Sequence, residues 1–127
     1  MTTRTTGAGR GRFPRSVYGV GNEPDPRFTL ANERTFLAWI RTGLALSAAG
    51  VALEALDVPI APGLRLACAL LLVGLGILAP VQAWAGWAAT ERAVRCGRPL
   101  PSPRLSPLIA AGTLVAGVLL VLGFLLR

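Results

Sequence analysis

The stretch that decides the fold is Leu30-Ala-Asn-Glu-Arg-Thr-Phe-Leu-Ala-Trp-Ile-Arg-Thr42. It begins as a polar helix start and runs into an apolar segment that still carries two arginines. At 100° per residue, Arg34, Ala38, Arg41, Ala45, Ala48, Ala52 and Ala55 recur at alternating spacings of four and three, so they share one helix face. That face is cationic at its N-terminal end and lined with alanine beyond. A neighbouring stripe holds Glu33, Ile40, Ser47 and Glu54, each seven residues apart. One helix thus presents small residues for close packing and charges that lipid does not accept.

Working outward, the 127-residue chain is 53% hydrophobic and only 15% charged, and its apolar residues come in long blocks. Leu105 to Leu126 is an uncharged run of 22 residues, and Leu66 to Thr90 one of 25. Phe36 to Leu56 makes a third run, of 21 residues, interrupted by Arg41 and Glu54. A helix of about 20 residues crosses a hydrocarbon core roughly 30 Å thick. The reading is an all-α integral membrane protein with three transmembrane helices, over about 29–56, 64–95 and 105–126. A soluble bundle does not need such long uncharged runs.

Residues 1–26, rich in Gly, Thr, Arg and Pro without an apolar period, are expected to form a disordered basic tail. Residues 27–127 then make the membrane domain. Thr29 is the expected N-cap of the first span, with Asn32 as the alternative. No cleavable signal peptide is visible, because the apolar stretch starts late and no cleavage site follows it. Asp57-Val-Pro-Ile-Ala-Pro-Gly63 is a short turn that makes the first two spans antiparallel neighbours. Pro80 should kink the second span, and Trp84 and Trp87 suit an interfacial belt. Cys68 and Cys96 would lie about 42 Å apart on one helix, too far for a disulfide.

The net charge of +7 comes from 13 arginines without a lysine. Arg4, Arg10, Arg12, Arg15 and Arg27 lie before the first span, and Arg92, Arg95, Arg98 and Arg104 between the second and third. Only Arg65 flanks the other loop. The positive-inside rule places the N-terminus in the cytoplasm and the C-terminus outside a plasma or inner membrane. Glu33 and Arg34 would then share a level with Glu91, Arg92 and Arg95. Depth suggests pairs of Glu33 with Arg92 or Arg95, and of Arg34 with Glu91. Arg41 lies about 10 Å deeper than Arg34. It either snorkels to the headgroups or faces protein or water.

Small residues decide what the helices touch. The packing seam is Ala38, Ala45, Ala48 and Ala52, with Gly43 and Gly50 on the reverse side. The third span offers Ser106 with Ala110, Gly112 with Ala116 and Thr113 with Gly117. Three helices cannot cover all these faces alone, so a homo-oligomer in the bilayer is expected. With no histidine, no lysine and no second acid spaced for catalysis, the chain is not read as an enzyme, and no metal or cofactor is implied. The basic tail fits anionic lipid better than nucleic acid.

The run from Asp25 through Thr42 resembles the signature of the YidH-like family of small membrane proteins, classed by a domain of unknown function. A second cue is Trp87-Ala-Ala-Thr-Glu91-Arg-Ala-Val-Arg95 followed by Leu100-Pro101. The resemblance covers roughly residues 25–127 and implies three membrane helices. More distantly, the signature is similar to the membrane domain of the vacuolar transporter chaperone, a polyphosphate polymerase complex. There, basic residues of the first helix line a passage through an oligomer. That likeness implies pore-side positions for Glu33, Arg34 and Arg41 but nothing about polyphosphate synthesis. The expectation is a self-associating membrane protein whose Arg34 and Arg41 line a cationic vestibule for anions. The alternative is an accessory subunit that transports nothing.

Overall fold

The structure is a computed structural model that describes residues 11–102 and 104–127. A single turn, α1 (Arg15–Tyr18), precedes three long helices: α2 (Pro26–Ala55), α3 (Pro62–Arg95) and α4 (Ser106–Leu125). No strand occurs among the described residues. All three long helices are apolar and long enough to cross a membrane. At 1.5 Å per residue they measure about 45, 51 and 30 Å, so α2 and α3 project beyond the hydrocarbon.

Each start has a local cause. Helix α2 opens three residues before Thr29: Asp25 is the N-cap, its carboxylate accepts from the Arg27 amide at 2.9 Å, and Pro26 occupies the first position. Proline suits that position because its missing N–H has no partner there anyway. Thr29 and Asn32, the expected caps, are interior, and Asn32 is free to face a neighbouring helix. Helix α3 also begins on a proline, Pro62, and Pro107 is the second residue of α4. At the end of α3, Gly97 has φ +65°, its amide donates to the Val94 carbonyl, and Arg98 donates to Ala93. This double closure stops the helix and folds the chain back over its last turn.

Helix α3 is central. Antiparallel α2 packs along one side and antiparallel α4 along another, with no close backbone approach between α2 and α4. The α2–α3 contact runs through glycine. A Cβ on Gly50 would stand 2.7 Å from both the Ala69 carbonyl oxygen and Val73 Cγ2, and one on Gly76 would stand 2.8 Å from the Gly43 carbonyl oxygen. The glycines expected on the reverse side of the seam are therefore what bring the two backbones together. On α4, Ile109, Gly112, Ala116 and Gly123 face inward, Gly112 against Leu75 and Gly123 against Ile60. Leu108, Leu114, Val118 and Val121 point outward as a lipid-facing surface does. Of the three small-residue pairs on this helix, only Gly112 with Ala116 serves packing within the chain. Both cysteines are free: Cys68 is buried and its thiol donates to the Ala116 carbonyl at 3.3 Å, whereas Cys96 is exposed.

The far end is closed by Arg65, which meets Asp57 at 2.6 Å and Glu54 at 3.4 Å and donates to the Val58 carbonyl at 3.1 Å. Glu54 is thus an interfacial partner of Arg65.

Part of the segment expected to form the tail packs on α3. Val17 of α1 is fully buried, and the chain from Arg12 to Asn22 straps across the last turns of α3. Residues 1–10 of that tail lie outside the described residues.

Introducing a methyl at the crossing should be costly. Gly50→Ala and Gly76→Ala are each expected to destabilise the protein by about 1–3 kcal/mol through overpacking. Gly74→Ala, with nothing within 4 Å of its Cβ, should not. Thermal unfolding in detergent reads the difference.

Candidate functional site

The chemistry gathers where the N-terminal turns of α2 meet the C-terminal turns of α3, the basic end of the bundle. Asn32 faces α3 because it lies eleven residues, or three turns, before Gly43 on the same face. Its amide nitrogen donates to the Trp87 carbonyl at 3.0 Å and to Glu91 Oε1 at 3.4 Å. Glu91 is only 1% exposed, and its Oε2 has no partner. Glu33 accepts from the Trp87 indole N–H at 3.1 Å. Neither cross-helix pair expected from depth forms. Arg34 is two residues, or about 200°, beyond Asn32, so it points away from the α3 face that holds Glu91. It is exposed.

Arg95 is spent on the strap. Its Nε donates to the Val20 carbonyl at 3.1 Å and its Nη2 to the Tyr18 carbonyl at 3.2 Å, while Nη1 stands 3.6 Å from Glu23 Oε2. Arg12 reaches Glu23 at 2.6 Å, and Tyr18 lies between the guanidinium groups of Arg12 and Arg95, 4.6 and 5.3 Å from its ring centroid. Gly21, at φ +62°, lies so close to the Arg95 backbone that a side chain would collide with it, and Asn22 donates to the Arg95 carbonyl at 3.0 Å. Aromatic contacts continue the attachment, Phe13 on Trp84 and Tyr18 against Trp87. The hydrogen bond from Arg12 holds the Glu23 carboxyl below its ordinary range, and Glu23 raises Arg12 in return. Asp25, hydrogen-bonded to Arg27, is lowered too.

Arg41 repeats the geometry of Arg34. It stands two residues before Gly43, so the glycine contact turns it outward. It is exposed, and no acidic group among the described residues pairs with it. Ala38, Ala45 and Ala48 are exposed on the same side, and Ala52 is half-buried. Arg92, one residue beyond buried Glu91, is exposed as well.

Between α2 and the start of α4, the same end holds a cavity of about 720 Å³. Phe36 and Trp39 wall one side, Gln82, Ala83 and Gly86 the floor, and Arg104 the rim. Gln82, 5% exposed, accepts from the Leu105 amide at 3.2 Å, which seats α4. Sequence reasoning missed Gln82, Trp39 and Arg104, and read Asn32 only as a cap. Gln82 was detectable as the lone amide inside the 25-residue uncharged run.

Residues 27–93 match the family described as "Domain of unknown function (DUF202)". The chain is 42% identical over 111 residues to a protein of Escherichia coli named inner membrane protein YidH, covering 87% of this chain and 96% of the relative. It is 46% identical over 97 residues to an uncharacterized protein of Mycobacterium tuberculosis, covering 76% of this chain and 80% of that one. No solved structure matches it.

Two outcomes follow from the strap and the buried acid. Because the folded Glu23 pKa is lowered, its stabilising contribution is full above its unfolded value of about 4.5 and is lost as pH falls through the folded value. Tryptophan emission should therefore report strap release on acidification below that range, and Glu23→Gln should flatten this dependence. Asn32→Ala, which leaves the Glu91 carboxyl without a donor, should cost about 1–3 kcal/mol in thermal unfolding.

Proposed function

We propose a function from one premise: the chain belongs to the DUF202 family, a family of unknown function. It is a multi-pass inner-membrane protein. Within that membrane it self-associates through the outer face of α2, with Arg34 and Arg41 lining a cationic vestibule that admits anions. The basic end lies in the cytoplasm and the C-terminus outside, as the arginine asymmetry between the two loops favours.

The observation that carries the reading is Arg41, exposed on an alanine-lined face that the chain itself leaves uncovered. A lone arginine deep in a span costs about 2.5–3.5 kcal/mol on insertion scales. A second copy packed on Ala38, Ala45 and Ala48 would remove that cost and leave both guanidinium groups facing water and anions. Alanine on that face lets the helices come close enough to exclude lipid.

A second reading, an accessory subunit without transport, has one observation in its favour. Glu33, Glu91 and Arg95 are all occupied by contacts within the chain, so most of the charge at this end serves architecture.

One reconstitution separates the two. The purified protein should run as an oligomer in detergent and pass chloride or phosphate into liposomes, with flux falling at least tenfold in Arg41→Ala. A monomer, or flux equal to that of empty liposomes, would overturn the vestibule.

A further inference from the structure

The cavity between α2 and α4 is lined by neither Arg41 nor the alanines of its seam. Its deep part is apolar, walled by Phe36, Trp39 and Ala83. Its rim is basic. A second cavity of about 290 Å³ adjoins it, sharing Ala89 and Pro101, and is lined by Arg92 and Arg98. The α3 turn closed by Gly97 is what folds Arg98 back beside Arg92. Arg92, Arg98 and Arg104 are exposed, and no carboxylate among the described residues pairs with any of them.

Gln82 stands in the floor of the larger cavity. Its carbonyl is taken by the Leu105 amide, which leaves the Nε2 end of a residue only 5% exposed on the cavity side. That nitrogen stands beside Gly86, where a Cβ would come within 3.1 Å of it, so the missing side chain keeps space open at the donor. Arg104, the residue before Leu105, lines the same cavity as Gln82. Apolar walls, an amide and three arginines line the two adjoining cavities between them.

We propose that this cleft binds an anionic glycerophospholipid, its acyl chains against Phe36 and Trp39, an ester carbonyl on Gln82 Nε2 and its phosphate at Arg104. Arg92 and Arg98 meet the outer part of the headgroup. Basic pockets between membrane helices take anionic headgroups in this way, and membrane depth supplies the chains. A free anion would leave the apolar walls unfilled, and a neutral lipid would leave three arginines without a counter-charge.

The test uses the full chain in detergent, titrated with short-chain phosphatidylglycerol, short-chain phosphatidylcholine or inorganic phosphate, and reads the emission of Trp39 and Trp87, which both line the cavity. Phosphatidylglycerol should saturate the signal at least tenfold more tightly than phosphatidylcholine, and phosphate should give no saturable change. The double variant Arg98→Gln/Arg104→Gln should weaken the phosphatidylglycerol response about tenfold with unchanged circular dichroism and elution volume. Gly86→Leu should abolish it by filling the cleft. Equal responses to the two lipids, saturation by phosphate alone, or a response indifferent to both variants would overturn the proposal.

Discussion

The glycine contact between α2 and α3 fixes where every charge on α2 can go. Once Gly43 and Gly50 face α3, helical geometry dictates that residues two positions away point to the opposite side. Asn32 is therefore inside and Arg34 outside, just as Gly43 is inside and Arg41 outside. The contact tolerates no methyl group, since Gly76 and Gly43 meet backbone to backbone. Close approach in turn lets Asn32 reach both the Trp87 carbonyl and Glu91 across the interface.

At the basic end the design differs from that of an ion-pair cluster. Glu33 and Glu91 are met by neutral donors, the Trp87 indole and the Asn32 amide, and Arg95 is turned toward the strap. Asn32 answers one oxygen of buried Glu91, and the other has no partner in the chain. The strap then covers the last turns of α3 with an aromatic and guanidinium stack centred on Tyr18. Far from this, Arg65 bridges two acids at the opposite end. Each end of the bundle is thus closed by one arginine that gathers backbone carbonyls as well as carboxylates.

Much of the fold was legible in the sequence. Uncharged runs of 25 and 22 residues carry α3 and α4, the run from Phe36 to Leu56 interrupted by Arg41 and Glu54 carries α2, and Gly43 and Gly50 were visible as a face distinct from the alanine seam. The start of α2 was misread because Thr29 and Asn32 looked like caps, while Asp25-Pro26 also satisfied the chemistry earlier in the chain. The partners of Glu33 and Glu91 were misread because depth was used without azimuth: residues at one level still need to face each other. The strap was invisible, since a Gly, Arg and Pro-rich segment has no apolar period. The cleft was hidden for another reason, that it arises where the backbones of α2 and α4 stay apart.

The two cysteines have an outcome of their own. Cys68 is sealed between α3 and α4, with its thiol engaged by a carbonyl, while Cys96 stands in the open immediately after the residue on which the strap is hung. The wild-type chain therefore offers a thiol-directed dye a single accessible address. A fluorophore placed there would sit beside Arg95 and report movement of the N-terminal segment without any engineered substitution.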